Sequence, residues 1–201
     1  MGRPFPAAAA LLLAAAPHLL VAAAGPSAEG RPKVLIVLLD TVRLDHVGWG
    51  GSVRDTTPRL DALAARGITF RQAVSPSSWT KPAVASLLTG LVPGRHLAIG
   101  SPAFRYYSDL LDDRRTLAEA FAREGYFTAA ASANPNIAAR FGFDQGFHAF
   151  HHDGSKSADQ LIAQGEEFLQ EAGDRPFFLY LHLNDAHYPY QAVDKGVISA
   201  T

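Results

Sequence analysis

Three places in this 201-residue chain carry side chains that could hold a cation or an anion and do nucleophilic chemistry. Asp40 follows the apolar run Val34-Leu35-Ile36-Val37-Leu38-Leu39, Thr80 opens the pattern Thr80-Lys81-Pro82-Ala83-Val84, and Asp185 with His187 follows Phe177-Phe178-Leu179-Tyr180-Leu181-His182-Leu183. A threonine hydroxyl is a poor nucleophile until a base or a metal lowers its pKa. At a helix N-terminus, however, it lies beside free backbone N–H groups and the positive end of the helix dipole, which favours phosphate or sulfate. Asp40 could hold the activating metal. Cysteine is absent, so thiolate zinc sites and cysteine nucleophiles are excluded, and the eight histidines and the carboxylates remain as ligands. Oxygen and imidazole donors suit Zn²⁺, Mn²⁺, Mg²⁺ or Ca²⁺ without choosing among them. Each position also has a plainer reading: an Asp after a strand as a turn former, a Thr before a helix as a cap, and Asp185 with His187 as a solvated turn.

The elements that must position these groups alternate short apolar runs with helical patterns, which predicts an α/β fold with a mostly parallel sheet flanked by helices. The continuous run 34–39 reads as a strand buried on both faces. Thr57 and Pro58 open a helix with Leu60, Leu63 and Ala64 on one face and a stop at Gly67. Residues 68–74 read as a second strand from their β-branched content. Residues 80–89 read as a helix with Val84, Leu87 and Leu88 inward, ended by Gly90. Residues 91–115 read as a surface loop, Thr116 with Glu119 as the capping box of a helix ending at Gly125, and 126–132 as a third strand. Residues 133–157 read as loop, with His148, His151 and His152 solvated, 158–172 as a helix and 176–183 as a fourth strand. In an open α/β sheet, ligands bind beyond the carboxyl ends of the strands, and all three chemical positions fall there.

Composition bounds the partners. Eighteen Lys+Arg against 19 Asp+Glu give a net charge of −1, which argues against nucleic acid and against a polybasic membrane patch, and 48% hydrophobic residues exclude a disordered chain. Residues 1–24 read as a signal peptide: Arg3, an Ala/Leu run broken by Pro17, and the small residues Ala22-Ala23-Ala24. Residues 25–31 are a short linker, and the expectation is a periplasmic or secreted protein, associated with a membrane only if the segment stays uncleaved.

Four ordered motifs resemble the sulfatase-like enzymes of the alkaline phosphatase superfamily over residues 32–190. Pro32 to Gly48 resembles their opening strand and metal loop, and Thr57-Pro58-Arg59-Leu60-Asp61-Ala62-Leu63-Ala64 resembles their first helix. Ser77-Ser78-Trp79-Thr80-Lys81-Pro82-Ala83-Val84 resembles their nucleophile segment, and Asn184-Asp185-Ala186-His187-Tyr188-Pro189-Tyr190 their substrate-side loop. By that resemblance residues 32–201 are part of a catalytic domain. It implies that Asp40 is a metal ligand, that Thr80 is the nucleophile and touches the metal, and that His187 contacts the substrate anion. Lys81 could reach a substrate oxygen, although a solvent-facing helix position explains it equally well. Asp45 and His46 read as structural, and Arg43 as pairing locally.

The departures shape the implied activity. Position 80 holds Thr where sulfatases carry the Cys or Ser that becomes formylglycine, and threonine's methyl-bearing carbinol carbon does not yield that aldehyde. Thr41 replaces a second metal-loop aspartate, Val84 replaces an arginine, and Ala131-Ser132-Ala133-Asn134 replaces a block that supplies a sulfate-binding Lys and His. A threonine nucleophile belongs to the phosphodiesterase, phosphonate-hydrolase and phosphoalcohol-transferase branches. The resemblance therefore implies, for the complete enzyme, metal-dependent hydrolysis or transfer of a phosphate-type ester of a small-molecule, glycan or lipid substrate. Two alternatives stand beside it: a sulfuric ester hydrolase working without formylglycine, and a truncated, inactive fragment. The last arises because the family's downstream Asp-His or Asp-Asn ligands do not occur before Thr201.

Overall fold

The computed structural model describes residues 30–70, 72–100 and 109–189. The signal-peptide reading, Tyr190 and the stretch beyond it fall outside the described residues. Among the described residues no helix is long and apolar enough to cross a membrane.

In the unit that begins at Arg31, the elements run β1 (Val34–Leu39), α1 (Pro58–Ala64), α2 (Thr80–Thr89), α3 (Pro93–His96), α4 (Leu117–Arg123), β2 (Phe127–Ser132), β3 (Ala149–His152), α5 (Ala158–Ala172) and β4 (Phe177–Leu183), with short 3₁₀ turns between some of them. The four strands form one sheet in the order β1-β4-β2-β3, and every pairing is parallel. This is the α/β architecture that the alternating runs predict.

Side chains alternate across the sheet, so each strand serves two cores. Phe178 and Tyr180 of β4 and Ala130 of β2 face α2 and α4, where Val84, Ala85, Leu88 and Ala118 close a buried cluster. Leu179, Leu181 and Leu183 face α5, whose Leu161, Phe168 and Ala172 recur at helical spacing. Gly165 lets α5 lie close: a Cβ there would meet both Leu181 methyls at 3.2 Å. Helix starts follow from sequence. Thr116 with Glu119 and Ser157 with Gln160 both form reciprocal capping boxes, satisfying otherwise orphaned N–H groups. Gly90 ends α2 in the left-handed region at φ 69°.

Four expectations are corrected. β1 is an edge strand and is covered on one face only: Leu35, Val37 and Leu39 are exposed, while the intervening residues pack on the α2/α4 core. Residues 68–74 contain no strand among those described, and Ile68, Phe70 and Val74 are at least 80% exposed; β-branched content without a pairing partner does not make a strand. Residues 133–157 are not all loop, because β3 adds to the open edge of β2. Leu87 points out of the core that takes Val84 and Leu88.

Candidate active site at the carboxyl edge of the sheet

Strand parity brings the polar groups together. Leu38 pairs with His182 across β1 and β4, and Ser132 pairs with His182 across β2 and β4. Moving two residues at a time along each strand keeps the same face, so Asp40, Asn134 and His182 all fall on the α2 side at the carboxyl edge. α2 then begins above them. Its N-cap is Trp79, whose extended backbone leaves Thr80 as the first helical residue. The Thr80 hydroxyl makes no cap. It donates to Asp40, 3.2 Å from Oδ2 and 3.5 Å from Oδ1.

Asp40 is 7% exposed and is surrounded by donors. Oδ2 also accepts from Asn134 Nδ2 at 2.6 Å and lies 3.1 Å from His182 Nε2. Its backbone N–H extends the β1–β4 ladder to Leu183 O at 2.9 Å, which fixes where the side chain leaves the sheet. Burial pushes the carboxyl up, and the His182 hydrogen bond and electrostatic attraction, with the Thr80 and Asn134 hydrogen bonds, together outweigh burial, so Asp40 sits below its ordinary value of 3.8. It is therefore a carboxylate at neutral pH. That makes it neither a surface turn former nor a helix cap.

Adjacent loops are tied to this centre. Thr41 adopts φ 58°, a left-handed backbone unusual for a β-branched residue, and its hydroxyl donates to Ala186 O at 2.8 Å. Asn134 Nδ2 also reaches Asn184 Oδ1 at 3.3 Å, and His152 Nε2 lies 3.0 Å from Asn134 O. The loops after β1, β2 and β4 are thus cross-linked by side chains, and His152 belongs to this scaffold rather than to solvent. His187 is exposed on the β4 loop, with Nδ1 donating to Tyr188 O at 2.7 Å. It lines a cleft of about 320 Å³ together with Lys156, Ser155, Ser157 and Asp185. Asp185 Oδ1 accepts from Ala158 N at the start of α5, while Oδ2 is buried without a hydrogen-bond partner.

Lys81 departs from both of its sequence readings. It is 1% exposed, with Nζ 3.0 Å from Asp109 Oδ1 and 4.2 Å above the Phe141 ring. Its charge anchors α2 in the core instead of standing open to a substrate or to solvent. Arg43 pairs locally with Asp45 at 2.6 Å, as expected. Asn134, His182 and Tyr180 are site residues that sequence reasoning passed over. The signal for Asn134 was its place just past β2, equivalent to that of Asp40 past β1; for His182 it was a polar ring inside an apolar strand.

The donor chemistry fits a hard divalent cation in part. Oδ2 of Asp40 is taken up by three side-chain donors, whereas Oδ1 has only the 3.5 Å approach of Thr80 Oγ1. An oxygen pair of this kind suits Mg²⁺, Ca²⁺ or Mn²⁺. Among the described residues no three His, Cys, Asp or Glu side chains gather to complete a shell.

Comparison with known proteins places the fold and the family. Arylsulfatase A of Bos taurus is 35% identical over 136 residues, covering 66% of this chain and 26% of that protein. A protein solved in complex with its substrate D-glucosamine-2-N,6-O-disulfate superposes with a TM-score of 0.68 at 20% identity, over 80% of this chain and 36% of the other. A protein in the alkaline phosphatase superfamily from Vibrio parahaemolyticus superposes with a TM-score of 0.64 at 24% identity, over 85% and 44%. The fold is thus alkaline-phosphatase-like, and the chain spans about a quarter of the curated relative and under half of either solved one. The sulfatase family model matches residues 32–196, from the start of β1 through the loop that carries His187, and this chain belongs to the sulfatase family.

Proposed function

We propose that the complete protein cleaves a sulfuric ester, with Thr80 as nucleophile and with Asp40 and Thr80 supplying part of a divalent-cation site. The observation that carries this reading is the 3.2 Å approach of the Thr80 hydroxyl to a buried, ionised Asp40 at the carboxyl edge of the sheet. A bound cation would lower the hydroxyl's pKa and offset charge on the ester oxygens. The remaining work falls to this chain's residues. Thr80 Oγ1 already directs its proton at Asp40 Oδ2, so the carboxylate orients the hydroxyl, and the proton passes to solvent as Oγ1 attacks sulfur. The sulfur–oxygen bond to the alcohol breaks, and the alcohol leaves with a proton from solvent. Water then attacks the sulfo-threonine, releasing sulfate and restoring the hydroxyl. His187, exposed beside Lys156 in the cleft of the β4 loop, is assigned to the non-bridging oxygens on the family resemblance.

The sequence reading put a phosphate-type ester first. The relative named above is a sulfatase, which moves the sulfuric ester to first place for this family member. A specific feature still favours phosphate as a second reading: residue 80 is an ordinary hydroxyl, not a precursor of formylglycine. Export follows only from the N-terminal reading of the sequence and belongs to the same proposal. The test is turnover of an aryl sulfate and of a bis-aryl phosphate by the complete protein and its Thr80→Ala variant. The expected result is aryl sulfate turnover that the substitution abolishes even at cation concentrations that saturate the variant. Preference for the phosphate diester supports the second reading. Activity retained in Thr80→Ala removes Thr80 from the nucleophile role.

A further inference from the structure

Tyr180 and His182 occupy consecutive inward positions of β4, and both are 0% exposed. Apolar residues in this layer would fill the same space without the desolvation cost of a phenol and an imidazole. The two rings instead form a chain that ends on the candidate metal ligand. Tyr180 Oη lies 2.9 Å from His182 Nδ1, and His182 Nε2 lies 3.1 Å from Asp40 Oδ2. The hydrogen-bond polarity follows from the chain's end. A carboxylate oxygen only accepts, so Nε2 carries a proton, and a Tyr180 phenol that donates to Nδ1 completes a chain running toward Asp40.

We propose that Tyr180 and His182 are positioning residues for Asp40: the phenol fixes the proton of His182 on Nε2, that N–H pins Oδ2, and Oδ1 is left as the oxygen that meets a cation beside Thr80. The proposal rests on the cation reading of Asp40 given above. Two features of the structure support it. Asn134 donates to the same Oδ2 at 2.6 Å, so both donors hold one oxygen and neither competes for the other. Burial, reinforced by the nearby Asp40 charge, raises the Tyr180 phenol well above its ordinary value, so its proton stays on Oη and is available to Nδ1 of His182. In consequence, the carboxylate is presented in one orientation, with Oδ1 facing Thr80. Groups behind a metal ligand that fix its orientation typically change metal affinity by about 10–100-fold when removed.

The experiment uses the full chain. Ring ¹⁵N spectra of the metal-free protein, with the His182 signals identified by their loss in His182→Gln, should show His182 as the Nε2–H tautomer in the wild type and a mixture of tautomers in Tyr180→Phe. Titration with Mn²⁺ should then show affinity falling about 10–100-fold in His182→Leu and less in Tyr180→Phe. His182→Gln, whose amide can donate to Oδ2 without help, should recover most of the loss, and adding Tyr180→Phe to it should change nothing further. A proton on Nδ1 of His182 overturns the proposal, as does a wild-type Mn²⁺ affinity in His182→Leu when Asp40→Asn has lost binding. If Asp40→Asn also binds as wild type, the cation reading of Asp40 has failed instead, and the tautomer spectra alone decide the relay. Should His182→Leu not fold, Tyr180→Phe and His182→Gln carry both readouts.

Discussion

The two faces of the sheet are built from the same strands and do different work. On the α5 face β4 contributes Leu179, Leu181 and Leu183, β2 contributes Phe127, Ala129 and Ala131, and the layer is apolar from end to end. On the α2/α4 face β4 begins apolar, with Phe178 stacked between Phe121 and Phe147, and turns polar toward the carboxyl edge through Tyr180 and His182, which meet Asp40 and Asn134. Parallel pairing aligns the carboxyl ends of the strands, so a polar residue at the end of each strand on one face meets the others. The chemistry is placed by parity and register, and the loops only complete it.

The largest effect should come from breaking the apolar half of that graded face. Phe178 is fully buried and contacts both flanking rings, at centroid distances of 4.7 and 5.8 Å. Phe178→Ala removes those contacts and leaves a cavity, and should cost about 3–5 kcal/mol in urea unfolding. A loss below about 1 kcal/mol would place the weight of this core elsewhere.

The polar half should yield a smaller effect with a distinct pH signature. Asp40→Asn keeps the shape and removes the charge that three donors address. The expected destabilisation at neutral pH is about 1–3 kcal/mol, the range for a charged hydrogen-bonded group left imperfectly matched. The sign of the pH dependence follows from the folded carboxyl lying below its ordinary 3.8. The unfolded chain takes up the proton first, so the stabilisation is complete above that value and is lost as pH falls through the lower folded value. Urea unfolding of the two proteins on descending pH should therefore show the wild-type advantage shrinking below 3.8. An advantage that stays constant would mean that the charge is not what the three donors hold.

How much of this was legible in the sequence differs between the same two faces. The runs 34–39 and 176–183 read as strands, and α2, α4 and α5 read from apolar spacing and caps, because these signals are local. β3 did not, since Ala149-Phe150-His151-His152 has no pattern of its own and is held by pairing to β2, about 20 residues earlier in the chain. Residues 68–74 carried the composition of a strand and lack a partner among the described residues. The meeting of Asp40 and Thr80 was anticipated from the strand-end rule and the family resemblance. Asn134 and His182 were missed because an amide after a strand and a ring within one look like turn and core until register sets them beside Asp40. Lys81 was misread for the same reason. A lysine in the first turn of a helix reads as solvent-facing, and the Asp109 that draws it inward lies 28 residues away.

The sharpest test of parity uses two adjacent residues of β1. Ile36 packs on the α2/α4 core, whereas Val37 is 47% exposed on the face that α5 does not reach. A lysine at 36 would place an ammonium against the apolar α2/α4 core, and should cost at least about 2 kcal/mol. A lysine at 37 keeps its stem on the exposed strand and its charge in water, so the change in urea unfolding should stay within about 0.5 kcal/mol. It should also lower self-association at high protein concentration, since a charge on an exposed edge strand opposes pairing with a second copy. Equal costs at the two positions would mean that β1 is buried on both faces after all, and the division of labour between the faces would have to be redrawn.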